Sequence, residues 1–90
     1  MNIVVEYTCG PEEAVRRLQS MAAEHDVELE PGASDREGTL AKRTSMGAAR
    51  ATYRVLDASI EIEIVKKPAF LPEGLVRREV SDLVTRVLND

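Results

Sequence analysis

The sequence predicts an α+β domain of order β-α-β-β-β-α, a four-stranded and mainly antiparallel sheet with two helices on one face. Three observations carry that expectation. An alternating segment opens the chain, and two apolar stripes of 3.6-residue period lie near its beginning and its end. A run of alternating segments separated by turn formers fills the middle. Ninety residues make one domain, 1–90, that can bury roughly two-thirds of the surface its unfolded form exposes. The only aromatic residues are Tyr7, Tyr53 and Phe70, so the expected core rests on Val, Ile, Leu and Ala.

Asn2–Tyr7 sets Ile3, Val5 and Tyr7 against Asn2, Val4 and Glu6, which suits a strand with one buried face. Gly10-Pro11 then opens a helix. Proline suits the first helical position, where its missing N–H would have no partner in any case. Glu12 and Glu13 sit near the positive end of the helix dipole. Ala14, Val15, Leu18, Met21 and Ala22 form the apolar stripe, and the helix is expected from about Pro11 to His25. Glu30 to Gly38, rich in turn formers and charge, reads as a loop.

A three-strand meander follows. A two-residue turn at Asp57-Ala58 pairs Val55 with Ile60, Tyr53 with Ile62 and Ala51 with Ile64 on one face. The other face pairs Arg54 with Glu61 and Thr52 with Glu63, so both faces agree on one register. The preceding turn lies near Ser45-Met46-Gly47-Ala48. A two-residue loop there sets Leu40 near Tyr53 but places Arg43 against Arg50, which requires either a shifted register or an anion between them. Pro68 ends the last strand and Pro72 starts the final helix. Its buried stripe is Val76, Val80, Leu83, Val84, Val87 and Leu88.

Net charge is −4, unevenly spread: residues 1–37 carry −6, residues 38–56 carry +4, and residues 57–90 carry −2. The basic block is Lys42, Arg43, Arg50 and Arg54. It reads either as an anion-facing surface or as bases paired with neighbouring carboxylates. No apolar run exceeds three residues, so no transmembrane segment is expected. The single cysteine, Cys9, cannot form an internal disulfide. With no apolar leader after Met1, the expected location is the cytoplasm.

Catalytic signals are weak. His25 is the only histidine, which excludes Cys/His zinc clusters, and it reads as a helix-end residue. Cys9 reads as a small structural residue, and Glu61 and Glu63 as partners of neighbouring bases. The five glycines show no phosphate-loop spacing. The expectation is no catalytic residue, no metal and no cofactor. An acidic pI near 5.0 and the lack of stacking aromatics on the basic hairpin argue against a nucleic-acid partner.

The stretch from Lys66 to Val80, KKPAFLPEGLVRREV, is the most suggestive. Extending the Asp57-Ala58 register outward places Ala49 opposite Lys66 and Ala48 opposite Lys67. The Met46 turn then lies beside the Lys66–Leu71 connection. Lys42, Arg43, Arg50, Lys66 and Lys67 gather there with Met46, Phe70 and Leu71, a basic and apolar end suited to an anionic or amphiphilic surface. The alternative folds Phe70 and Leu71 under the last helix as a hydrophobic staple.

The arrangement resembles the small proteins of the polyhydroxyalkanoic acid system family. The shared features are the early strand, GluGluAlaValArgArgLeu at 12–18, the Gly-Thr-Leu strand start at 38–40 and Gly47. They continue with the strand pair about Asp57 and the helix after Leu71-Pro72. The resemblance implies association with storage-granule synthesis or surfaces, in bacteria, and no catalytic residues. The functional expectation is a non-enzymatic accessory domain acting at a granule, lipid-like or protein surface. Two other readings are a protein module or homo-oligomer using an unpaired sheet edge, and a small-ligand pocket near Ala49 and Ala51.

Overall fold

A computed structural model describes residues 1–45 and 47–89. The elements are β1 (Asn2–Glu6), α1 (Pro11–Glu24), β2 (Glu28–Pro31), β3 (Glu37–Thr44), β4 (Gly47–Val55), β5 (Ser59–Lys66) and α2 (Glu73–Asn89). The strands form one antiparallel sheet of order β1-β5-β4-β3-β2. The class is therefore α+β, but with five strands rather than four.

The additional strand is β2. It lies partly in the stretch expected to be a loop, whose ends are instead strand. Its four residues, ELEP, hold one apolar side chain, too few to show a period. Pairing makes it a strand: Leu29 stands opposite Leu40, and Leu40 stands opposite Ala51. Residues 32–36 form the actual loop, closed by Gly32 N–H donating to the Glu37 carbonyl at 2.7 Å.

The β4–β5 hairpin has the expected inner register, from Val55 opposite Ile60 to Ala51 opposite Ile64. Beyond Ala51 it departs. A bulge brings Arg50 opposite Lys66, so Ala49 and Ala48 do not face Lys66 and Lys67. The β3–β4 register also differs from the expected one: Arg43 faces Ala48, Arg50 faces Ala41, and Tyr53 faces Gly38 while Leu40 faces Ala51. Pairing runs out to Thr44 opposite Gly47, a register centred one residue earlier than the expected two-residue turn, and this shift separates the two arginines.

One face of the sheet makes the core. Ile3 and Val5 from β1, Ile60 and Ile62 from β5, and Ala51, Tyr53 and Val55 from β4 pack with Leu18 and Met21 of α1 and Val84 and Leu88 of α2. Helix α1 lies over β2 and β4, and α2 over β1. Arg17 joins the helices by donating to the Leu88 carbonyl at 2.9 Å, a cation at the negative end of the α2 dipole. Arg17 also pairs with Glu13 at 3.0 Å, and with Arg16 it holds the Glu13 carboxyl below its usual range by hydrogen bonding.

Tyr7 and Tyr53 are both buried in this core, and the Tyr7 hydroxyl donates to the Leu56 carbonyl. Burial first, then neighbouring negative charge, pushes both phenols above their ordinary value of 10.0. A phenol whose folded pKa is raised contributes stability that is complete below the unfolded value and lost as pH climbs through the folded one. Alkaline titration should therefore show both tyrosinates forming above pH 10 together with loss of far-ultraviolet circular dichroism. Ionisation at the ordinary value in a still-folded chain would contradict the burial.

Candidate functional site

The opposite sheet face is open to solvent and divided by charge. Along β4 the outward residues are Arg50, Thr52 and Arg54, all exposed. Near Arg54 the face is acidic: Glu37 on β3 and Glu61 on β5 stand opposite it on either side, with Glu63 one pair along. Arg54 forms an ion pair with Glu37 at 3.9 Å, so its partner within reach is Glu37 rather than Glu61. A cleft of about 450 Å³ runs over this acidic half, lined by Thr39, Thr52, Glu61 and Glu63 among others. Among the described residues no group of carboxylates, histidine or cysteine is placed to hold a metal.

Toward the other end of the strands the charge reverses. A cleft of about 510 Å³ there is lined by Lys42, Arg43, Arg50 and Lys66 around Ala41, Ala48 and Ala49, with Asp26 and Glu28 at its acidic side. Four of the eight residues expected at a contact site thus line one cleft. Among the described residues, no carboxylate lies within 4.0 Å of any of these four cations; the ion pairs are those of Arg16, Arg17, Arg36 and Arg54. Of the basic block, among the described residues, Arg54 alone has a carboxylate within 4.0 Å.

The connection after β5 meets this end. A Cβ placed on Gly47 would lie 3.6 Å from the Pro68 ring, so the β3–β4 turn and the lysine-proline crossing are adjacent as expected. Gly47 has φ of 128°, a conformation that favours glycine. Met46 itself lies outside the described residues. Pro68 is buried, and the Leu71 N–H donates to its carbonyl at 3.1 Å.

The staple alternative divides between its two residues. Leu71 is half-buried, but Phe70 is 64% exposed and does not pack under α2. Among the described residues, Phe70 on the connection is flanked in sequence by two further exposed large hydrophobic side chains, Val65 near the end of β5 and Leu75 in the first turn of α2. Lys67, expected as a free cation of the site, is half-buried and donates to the Leu71 carbonyl at 2.8 Å. It shapes the connection. Lys66 is the exposed member of the pair.

The other candidates stay plain. His25 is exposed at the end of α1, and its N–H closes the helix on the Met21 carbonyl at 3.0 Å. Cys9 is half-buried beside Gly10. Ala51 is packed in the core, and Ala49 lines the basic cleft. Among the described residues no helix is long and apolar enough to cross a membrane.

The described residues thus define a small α+β domain with a charge-divided open face and an apolar connection beside the basic end. Comparison with protein-family models, with curated proteins and with solved structures finds no match to this chain.

Proposed function

We propose that the chain is a non-enzymatic binding domain that sits on an anionic, amphiphilic surface, of the kind a polyhydroxyalkanoate granule or a lipid layer offers. Phe70 carries the reading: a phenyl ring 64% exposed on the connection that adjoins Gly47, at the end of the sheet where, among the described residues, no carboxylate lies within 4.0 Å of Arg43, Arg50 or Lys66. An apolar ring inserted between acyl or polyester chains, with cations held at the charged boundary, combines area burial with electrostatic attraction.

Phe70→Ser separates contact from folding. Its effect on stability should stay within about 0.5 kcal/mol, because Phe70 is mostly in solvent and outside the core. Co-sedimentation with granules or with anionic vesicles should fall sharply, and wild-type binding should weaken as salt rises. Undiminished sedimentation of the variant would remove Phe70 from the contact.

A second reading, self-association through a sheet edge, has one observation in its favour. The two edges differ: β2 exposes Glu28, Glu30 and Pro31, which discourage pairing, whereas β1 exposes Val4 at 61%. Light scattering across a concentration series decides it, a constant monomer mass counting against.

A further inference from the structure

We infer that Arg43, Arg50 and Lys66 form a subsite for a tetrahedral oxyanion of the phosphate class on the open face of the sheet. This rests on the surface reading and deepens it, since it names the chemical group held at the basic end. The β5 bulge is the first observation. Strict alternation from Ala51 opposite Ile64 would set Val65 against Arg50; the bulge sets Lys66 there instead. Directly opposed like charges disfavour pairing, and a bulge re-aims side chains. Here it opposes two cations that regular pairing would have kept apart.

Arg43 completes the group. It faces Ala48, one outward position along from the Arg50–Ala41 pair, which makes it a diagonal neighbour of Arg50 at roughly 7–8 Å between backbones. The intervening outward residues, Ala41 and Ala48, are too short to fill the space, and the cleft lies over them. Arg54 on the same strand is the contrast, because Glu37 already answers its charge.

The geometry selects the ligand. Two guanidinium forks and one ammonium present more donors than a planar carboxylate can accept, whereas a phosphate offers oxygens in several directions. Chloride has no directional acceptors to match. Glu28, across Ala41 from Arg50 and itself diagonal to Arg43, lines the same cleft with Asp26; these two carboxylates would repel an extended polyanion, so a single compact group held between the cations fits. Inorganic phosphate and a phosphomonoester lipid headgroup share that chemistry.

The test titrates inorganic phosphate into the full chain, with sodium chloride at matched ionic strength, and follows Tm. Phosphate should raise Tm beyond chloride as it saturates the folded state. The Arg50→Gln/Lys66→Gln variant should bind phosphate at least about tenfold more weakly, the effect of losing charge-assisted hydrogen bonds. Its Tm without phosphate should not fall, because the opposed charges are gone. Phosphate acting no differently from chloride, or bound equally by the variant, overturns the subsite. Vesicles of phosphatidylcholine with phosphatidic acid or with phosphatidylglycerol, at equal total charge, distinguish the sources. Preference for phosphatidic acid supports a headgroup, and equal binding beside a phosphate-specific shift supports the free ion. Vesicle binding without any phosphate effect removes the subsite and leaves the surface reading. A phosphate effect without vesicle binding does the reverse.

Discussion

Leu18→Ala should lower the unfolding free energy by about 2–5 kcal/mol, the largest single effect expected in the chain. Leu18 is 1% exposed and is among the largest fully buried side chains. Its cost belongs at the upper part of that range because of its own helix. The residues four before and four after it on α1 are Ala14 and Ala22, both buried. Neither has a side chain long enough to lean into the vacated space, so the cavity keeps most of its volume. A domain of this size is stable by roughly 5–15 kcal/mol, so the variant would sit near its unfolding threshold at physiological temperature. Urea denaturation measures the loss, with an unchanged slope showing that the same cooperative unit unfolds. A loss below about 1 kcal/mol would mean that α1 closes onto the sheet more freely than its contacts show.

The stripe Ala14, Val15, Leu18, Met21 and Ala22 was readable in the sequence because a helix writes its buried face as a period; four of the five are buried and Val15 is half-buried at the edge of the core. The inner β4–β5 register was readable for a related reason. Apolar pairing on one face and Arg54-Glu61 pairing on the other gave two independent constraints with a common solution. Strand β2 offered neither. One leucine between glutamates has no period, and its strand character comes from pairing with β3, from Glu28 opposite Ala41 to Pro31 opposite Gly38. The pairing of β1 with β5 was hidden too, since β1 precedes β5 by more than fifty residues and either sheet edge could accept a strand of its pattern.

The candidate site was legible at the level of neighbourhood. Placing the β3–β4 turn beside the Pro68 connection required only that the hairpin be in register, and Gly47 does adjoin Pro68. Which cation faces which was not legible, because register errors accumulate beyond a bulge and nothing in Ile64-Val65-Lys66 marks one. Lys66 and Lys67 look equivalent in sequence. The backbone separates them, turning one toward Arg50 and the other into a hydrogen bond with Leu71. The exposure of Phe70 likewise depended on the path of the connection. A two-proline segment fixes local dihedral angles but not the direction in which a ring between them points.

Gly38→Ala should destabilise the protein by about 1–3 kcal/mol, and the sign of the change is the informative part. An alanine replacing glycine in a conformation it can adopt usually stabilises by about 0.4–1 kcal/mol, because the unfolded chain has less freedom to lose. Gly38 has no positive φ, so conformation alone would favour the stabilising outcome. Space reverses it. A Cβ at this position would overlap the Glu30 carbonyl oxygen and lie 3.0 Å from the Tyr53 hydroxyl. The first contact is backbone and cannot rotate away, so β2 must separate from β3 or β3 must shift against Tyr53 in the core. Hydrogen exchange should show the β2 amides losing protection before those of β4 and β5. Gly32→Ala supplies the internal comparison, since its nearest contact, the Glu37 carbonyl, would be 3.4 Å away. Gly38→Ala matching Gly32→Ala in stability would show that the close approach of Glu30 is absent, and with it the pairing that makes β2 the fifth strand.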